Sequence, residues 1–219
     1  TLSTSGGTGT GTVSYAVTAG ASNCSVVGST VTGTGVGICT ITATKVLDAN
    51  YLETTATVDI NVNKANQTSL TASASPSTIA FNGTTTLDAI GGSSGGAVSF
   101  AVTAGTNFCS VTGNLLTGLD VGSCTVTATR AGNALYNDVS AQVVVTVGRA
   151  LQTGWAVSGT PSATVSVNGT VTLSTSGGSG SGAVSLAITS GAPSCSLSGN
   201  VVTGVTPGTC TVTATKAAD

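Results

Sequence analysis

Six cysteines are the residues whose type and spacing indicate chemistry most directly. They form three pairs with an internal interval of 15 residues, and equivalent cysteines recur after 85 and then 86 residues. A repeating chain closes each loop within its own repeat, so we expect three disulfides. A zinc site is the competing interpretation, but the chain has no His and no C-x-x-C pair. The expected disulfides are Cys24–Cys39, Cys109–Cys124 and Cys195–Cys210.

The other reactive side chains do not form a recognisable catalytic set. Without His, a Ser-His-Asp triad cannot be built. No acid recurs in all three copies of the cysteine pattern, which argues against a repeated carboxylate pair. The glycine-rich stretches 6–11 and 177–182 lack the Lys and the following helix of a phosphate-binding loop. We therefore expect no enzyme activity and no cofactor. The acids are Asp48, Glu53, Asp59, Asp88, Asp120, Asp138 and Asp219.

A calcium site at a domain junction would need six to eight oxygen ligands from clustered acids. The nearest approach is Asp48 with Asn50, and Asn137 with Asp138, where we favour a plain loop. Trp155 is the only tryptophan, and a contact at a domain junction is favoured over a ligand platform. We thus expect no metal site.

Composition points to an exported β protein with an unusually neutral surface. Hydrophobic residues make up 40% of the chain and charged residues only 5%, against about 25% charged residues in an ordinary globular domain. The net charge is −2 and there is no basic patch, so we expect no nucleic-acid partner. No apolar run reaches the length of a membrane span. Disulfides persist outside the reducing cytosol, so we expect an extracellular or cell-surface location.

The cysteine pairs sit inside a longer internal repeat with a period of 85–86 residues. Short alternating stretches bounded by Gly, Pro, Asn and Ser predict strands, and nothing predicts a helix of useful length. About seven short strands per repeat indicate a two-sheet sandwich. The fold class predicted is all-β, with tandem immunoglobulin-like β-sandwich repeats. Two segments recur in all three copies. The first precedes the cysteine pair and reads Val13-Ser-Tyr-Ala-Val-Thr-Ala-Gly20, Val98-Ser-Phe-Ala-Val-Thr-Ala-Gly105 and Val184-Ser-Leu-Ala-Ile-Thr-Ser-Gly191. The second starts at the second cysteine and reads Cys39-Thr-Ile-Thr-Ala-Thr-Lys45, Cys124-Thr-Val-Thr-Ala-Thr-Arg130 and Cys210-Thr-Val-Thr-Ala-Thr-Lys216.

These repeated segments resemble bacterial immunoglobulin-like domains of the group-2 type, which occur in tandem in surface proteins related to invasin and intimin. The resemblance covers essentially the whole chain. It implies a β-sandwich, a surface location and a stalk or adhesive role, without implying one ligand. The sequence departs from the family pattern by placing Cys at two small-residue positions in each repeat.

The phase of the repeat predicts three domains. Residues 1–65 form repeat 1 without its first strand, residues 66–149 form a complete repeat 2, and residues 150–219 form repeat 3 without its last strand. Two explanations stay open: the chain is a fragment of a longer repetitive protein, or successive subunits complete each other by strand addition. The junctions are short and are neither Gly/Ser-rich nor Pro-rich, so we expect a semi-rigid connection.

Three functions are compatible with this organisation. The first is a structural stalk or spacer of a bacterial surface protein or appendage. The second is a subunit of an extracellular filament assembled by strand complementation, and the third is an adhesin module that binds a ligand with its glycine-rich loops. The expected partners are neighbouring repeats or identical subunits, with a cell-surface or glycan ligand in the adhesin case. The aromatic content of 3% argues against a strong carbohydrate platform.

Overall fold

The computed structural model describes residues 1–219, and nearly all of its regular structure is β-strand. The one helical element is a 3₁₀ turn, Ala192–Ser194. The chain divides into two compact units, Thr1–Arg149 and Ala150–Asp219. The predicted all-β sandwich fold is confirmed. The boundary between repeats 1 and 2 lies within the first unit and stays a prediction.

Repeat 2, within the first unit, has eight strands in two four-stranded sheets. One sheet has the order β10-β11-β8-β6, and the other has the order β7-β13-β12-β9. All pairs are antiparallel except β7 with β13, which is parallel. The strands are β6 (Leu70–Ser75), β7 (Thr78–Ala80), β8 (Thr84–Gly91), β9 (Val98–Ala104), β10 (Cys109–Thr112), β11 (Leu115–Gly118), β12 (Gly122–Arg130) and β13 (Val139–Gly148).

The core of repeat 2 follows from period-2 alternation along its strands. In β12, Cys124, Val126 and Ala128 are buried, and the intervening threonines lie on the outer face. In β13, Val145 and Val147 are buried beside them. β-branched side chains suit such a pleated, half-buried surface. The two sheets enclose one cluster, Ile79, Leu87, Cys109, Leu116, Cys124, Val126, Val145 and Val147.

Residues 1–65 have five strands, which correspond to β9–β13 of repeat 2. The sheet β1-β4-β5 matches β9-β12-β13, and the hairpin β2-β3 matches β10-β11. Residues preceding Val13 form no strand. The buried cluster here is smaller, consisting of Cys24, Cys39 and Ile41. The strands are β1 (Val13–Ala19), β2 (Cys24–Val27), β3 (Thr30–Gly33), β4 (Gly37–Lys45) and β5 (Thr54–Val62).

The second unit has six strands in two sheets. One sheet has the order β14-β15-β18-β17, and the other contains only β16 and β19. By sequence offset these strands match β6, β8, β9, β10, β11 and β12 of repeat 2. The unit has no counterpart of β13. The strands are β14 (Ala156–Thr160), β15 (Thr170–Ser176), β16 (Val184–Ser190), β17 (Cys195–Ser198), β18 (Val201–Gly204) and β19 (Thr211–Lys216).

Candidate functional site

Each repeat contains one disulfide that joins its two sheets. In repeat 2, Cys109 begins β10 of one sheet, and Cys124 lies in β12 of the other, with a Cα–Cα distance of 6.1 Å. Cys24 at the start of β2 is linked in the same way to Cys39 in β4, and Cys195 at the start of β17 is linked to Cys210, which directly precedes β19. No cysteine is free. The thiols are therefore used in covalent cross-links between sheets, and none is present as a metal ligand or nucleophile.

A glycine turn places the first cysteine of each pair. Gly105 has a φ of +68°, and the Phe108 amide donates a hydrogen bond of 2.9 Å to its carbonyl. A Cβ on Gly105 would overlap the carbonyl oxygen of Ser123, immediately before Cys124. Gly20 and Gly191 have the same positive φ and the same close approach. Glycine is thus required where the chain turns into β10 beside the strand that carries the partner cysteine.

A threonine pair also recurs on the outer face of every repeat. The hydroxyl oxygens lie 2.9 Å apart in each pair, within hydrogen-bonding distance. Each pair joins two neighbouring antiparallel strands, where cross-strand Thr–Thr hydrogen bonds stabilise a sheet. The outer face is therefore polar without being charged, in keeping with the composition. The pairs are Thr18–Thr42, Thr103–Thr127 and Thr189–Thr213.

The glycine-rich loop of each repeat is held by a basic side chain at the end of the strand that carries the second cysteine. Lys45 Nζ donates to the Gly7 carbonyl at 3.2 Å. Arg130 Nη1 donates to the Gly96 carbonyl at 2.8 Å. Lys216 Nζ donates to the carbonyls of residues 177 and 178. The cation thus binds backbone carbonyls of the glycine-rich loop and ties the loop to the neighbouring strand.

In repeats 1 and 3 an Asp side chain also binds the glycine-rich loop. This Asp follows the strand that ends with the basic residue. Asp48 accepts hydrogen bonds from the backbone amides of Asn50, Thr10 and Tyr51. These bonds, the one from Asn50 foremost, lower the pKa of Asp48 from 3.8 to about 2. Asp219 accepts from the amides of Ser181 and Gly182, which also lower its pKa.

Repeat 2 carries Asn133 at the position equivalent to Asp48 and Asp219. Its Oδ1 accepts from the Leu135 and Tyr136 amides, and its Nδ2 donates to the Ser94 carbonyl at 2.8 Å. The position therefore requires a side-chain oxygen that accepts hydrogen bonds from backbone amides, which Asp and Asn both supply, and it does not require a negative charge. A search restricted to acids misses this site, but the offset of 85 and 86 residues between the three positions shows it.

Gln67 is the most highly connected side chain in repeat 2. It is nearly buried, and its Nε2 donates to the carbonyls of Arg130, Ala131 and Asn137, at 2.7 Å for Asn137. Its Oε1 accepts from the amides of Ser93 and Ser94, both at 3.0 Å. One amide thus links the segment entering the repeat to the glycine-rich loop and to the loop before β13. The sequence analysis did not identify this residue.

The equivalent region of the second unit uses Gln152 and Trp155. Gln152 Nε2 donates to the Ala217 carbonyl, and its Oε1 is buried without a partner. Trp155 Nε1 donates to the Ala214 carbonyl at 3.1 Å, and Lys216 Nζ lies 5.6 Å from the ring centroid. These contacts tie Trp155 to β19 of its own unit, whereas the sequence analysis favoured a role at a domain junction.

An open, uncharged groove of 410 Å³, with polar and apolar surface in similar proportion, lies on the second unit. Its walls include Val165, Leu173, Val202, Cys210 and Val212. All 19 residues that line it are uncharged. The groove therefore suits an uncharged ligand better than a charged one.

No three or more His, Cys, Asp or Glu side chains are grouped so that they could hold a metal ion. The chain also contains no helix long and apolar enough to cross a membrane.

Comparison with known proteins relates the chain to others through its fold alone. No protein-family model matches it, and neither does any curated protein. Among solved structures, mouse cadherin-23 EC22-24 is 14% identical, with 94% of this chain and 81% of that chain covered and a TM-score of 0.31. Drosophila N-cadherin EC1-4 is 13% identical, with 96% and 63% covered and a TM-score of 0.32.

Surface layer protein SbsC, domains 1-6, is 14% identical, with 92% of this chain and 29% of that chain covered and a TM-score of 0.24. The chain spans 40% of the protocadherin GammaB4 extracellular domain, another similar fold. These are cadherin and surface-layer structures rather than invasin-like or intimin-like proteins. The narrower bacterial resemblance therefore stays a proposal.

Proposed function

We propose that this chain is a structural spacer in an extracellular bacterial surface protein or appendage, and that it has no catalytic activity. One observation carries the proposal: the features shared by all three repeats are internal cross-links. Each repeat has an inter-sheet disulfide, an outer Thr–Thr pair and a basic side chain on its glycine-rich loop. Repetition of stabilising contacts is typical of a load-bearing or spacing array.

The extracellular part of the proposal is supported by the disulfides. All six cysteines are paired, and such bonds form and persist outside the reducing cytosol. A loop of about 15 residues closed by a disulfide stabilises a domain by roughly 3 kcal/mol in the chain-entropy model. A stabilisation of this size matters most for small domains, because they bury only a modest fraction of their surface on folding. The bacterial assignment is supported by the resemblance of the repeated strands to group-2 immunoglobulin-like domains.

A length series in the complete protein tests the spacer role. Residues 66–149 are deleted in one variant and duplicated in another, and the distance between tags flanking the array is measured on intact cells. A spacer predicts that the distance changes by one repeat length in each direction, while activities carried by flanking segments persist. Loss of a specific binding activity on deletion, not restored by a second copy of repeat 1, would contradict a spacer role.

A filament subunit assembled by strand complementation is the second candidate. The edge of β19 favours it, because β19 pairs only with β16 and a strand edge without a partner can accept another strand. The partners would then be identical subunits. In the spacer case they are neighbouring repeats.

An adhesin that uses its glycine-rich loops is less well supported. In repeat 2, the amides of Ser93 and Ser94 and the carbonyl of Gly96 already bond within the repeat. Fewer backbone groups are therefore available for a cell-surface or glycan ligand. Replacing residues 92–96 by the equivalent loop of repeat 1, and assaying glycan binding before and after, distinguishes this role. Binding that is lost on replacement would favour the adhesin.

A further inference from the structure

Six outward-facing positions on two neighbouring strands carry the same residue in all three repeats. The strands are β1 and β4, β9 and β12, and β16 and β19, which pair antiparallel in the same way. Every one of these residues is exposed or half-buried. Together they form what we call the threonine face of a repeat: Ser14, Ala16, Thr18, Thr40, Thr42 and Thr44; Ser99, Ala101, Thr103, Thr125, Thr127 and Thr129; Ser185, Ala187, Thr189, Thr211, Thr213 and Thr215.

Other positions of the repeats vary, including positions in the core of the same strands. Two inward-facing positions carry Tyr15, Phe100 and Leu186, and Ile41, Val126 and Val212. The outer face of the opposite sheet varies too, since Leu115 of repeat 2 corresponds to Thr30 and Val201. Descent from one ancestral repeat affects all positions alike. It therefore does not explain why the threonine face is identical while neighbouring positions differ.

Contacts within a repeat explain only part of this identity. The hydrogen bond between Thr103 and Thr127 accounts for two of the six positions in repeat 2. Ala101 is exposed on β9 and has no polar group, so no side-chain hydrogen bond requires it. Alanine is also a poor strand former compared with β-branched residues. A small side chain at this position keeps the middle of the face low, as a surface that packs closely against another requires.

The chemistry of the face suits a second copy of itself. A hydroxyl group both donates and accepts hydrogen bonds, so a face of hydroxyls is complementary to an identical face. No residue of the face is charged, and two copies can meet without repulsion. In repeat 2 the flanking strand β13 adds Gln142 opposite Thr127 and Val144 opposite Thr125. Val144 is 55% exposed, so contact with a second copy would remove an apolar side chain from water.

The size of the face sets the strength of such a contact. Three strands about 4.8 Å apart and about 20 Å long present roughly 300 Å² of surface. Stable interfaces bury about 800 Å² on each partner. One repeat therefore supports only weak association, and contacts made by further repeats add to it by avidity. A partner that carries the same face on each repeat meets this requirement.

We propose that the threonine face is a lateral contact surface between two copies of this chain. In repeat 2 the outer surfaces of β9, β12 and β13 meet the same surfaces of the second copy, with Ala101 allowing close approach and Val144 buried in the contact. The two chains associate through side chains of sheet faces, not by adding a strand to an edge. The contact adds to the proposed spacer role and does not depend on it.

Sedimentation velocity of the 219-residue chain over a range of concentrations tests the contact. Ala101→Arg places a bulky charge on the threonine face and should lower the association constant at least tenfold. The control is Ser73→Arg, which also changes an exposed residue of an edge strand, β6, but on the outer face of the opposite sheet. It should leave association unchanged. Equal association of the two variants, or an unsubstituted chain that is still monomeric at about 1 mM, would overturn the proposal.

A measurement on the unsubstituted protein avoids any effect of substitution on folding. In a mixture of isotope-labelled and unlabelled chains, isotope-filtered NMR should detect contacts between the methyl groups of Val144 in one copy and those of Thr125 or Thr127 in the other. Intermolecular contacts confined to strand edges such as β19 would overturn the proposal, because they would indicate strand addition.

A glycan assay tests the rival occupant of the face. If the chain stays monomeric and Ala101→Arg abolishes glycan binding, the face binds carbohydrate and the second copy is wrong as its occupant. Glycan binding that is absent, or equal in Ala101→Arg and Ser73→Arg, agrees with the second copy. Failure of the lateral contact would leave the spacer role intact, because the length series measures a distance and not association.

Discussion

At the residue scale, the disulfides have the clearest energetic role. Cys109 and Cys124 are both almost completely buried and join β10 to β12 within the main core of repeat 2. Their effect on stability comes chiefly from restricting the unfolded chain, since a loop of 15 residues stays closed when the repeat unfolds. This restriction matters because a repeat of this size has a small hydrophobic core and little other stabilisation from burial.

Replacing both cysteines of repeat 2 by alanine measures that contribution. The double variant Cys109→Ala/Cys124→Ala should lower the free energy of unfolding of repeat 2 by about 3 kcal/mol. Denaturant unfolding followed by circular dichroism gives the value. Reduction of the unsubstituted protein is the control and should have a similar effect, while the substituted repeat should not respond to reductant at that site. A loss below about 1 kcal/mol would show that the bond is not a main source of stability.

The carboxyl group of Asp48 provides a pH-dependent test of the loop contacts. Its folded pKa of about 2 lies below the unfolded value, so its stabilising effect is complete above about pH 4 and is lost as the pH falls through 2. Carbon-detected NMR titration should give an Asp48 pKa near 2, with the Thr10 amide shifting in parallel. Asp48→Asn introduces the residue found in repeat 2 and should abolish this titration. A pKa at or above 3.8 would contradict the hydrogen bonds at this site.

The cysteine pairing could be predicted from sequence because equal intervals within a repeat identify local loops. The Asp48, Asn133 and Asp219 position could not be found by counting acids, because its function depends on an oxygen acceptor that Asp and Asn share. Gln67 was missed for a different reason. Its five hydrogen bonds join residues more than 20 positions away, and no local pattern marks such a residue.

At the scale of elements, the strands were predictable where alternation is strong. The short segments Cys109–Thr112 and Leu115–Gly118 form β10 and β11, and Pro76 lies between β6 and β7, where its missing N–H does not interrupt a strand. The parallel pairing of β7 with β13 was not predictable, because it joins strands more than 60 residues apart. The order of the strands within each sheet depends on such long-range pairs. The alternation of apolar and polar residues within one strand does not specify which strand it will pair with.

Gln67 makes several of the hydrogen bonds that hold the loops of repeat 2, and Gln67→Ala tests their contribution. Removing it takes away hydrogen bonds to the Asn137 and Arg130 carbonyls and from the Ser93 and Ser94 amides, whereas the Ala131 carbonyl keeps its bond from the Ser94 hydroxyl. Repeat 2 should therefore lose about 2 kcal/mol of unfolding free energy. Faster hydrogen exchange at Ser93 and Ser94 should accompany the loss. Gln142→Ala is the matched control: Gln142 is exposed on the outer face of β13 and makes one side-chain hydrogen bond. Equal effects of the two substitutions would refute the specific role of Gln67.

At the scale of the whole molecule, the chain consists of repeated sandwiches that are stabilised internally. Each compact unit contains its own disulfides, and no cysteine is left to link one unit to the other. Stability in such arrays is the sum of contributions from each repeat and from nearest-neighbour contacts. The proposed spacer should therefore resist extension one repeat at a time.

Stretching the 219-residue chain from its two ends, with and without reductant, tests this account most directly. We predict that repeat 2 unfolds in a discrete force-bearing step. Under oxidising conditions the segment between Cys109 and Cys124 should stay closed, so reduction should lengthen the step by roughly 50 Å. Extension without a discrete step for repeat 2, or a step of equal length in both conditions, would contradict a spacer built from independently disulfide-closed repeats.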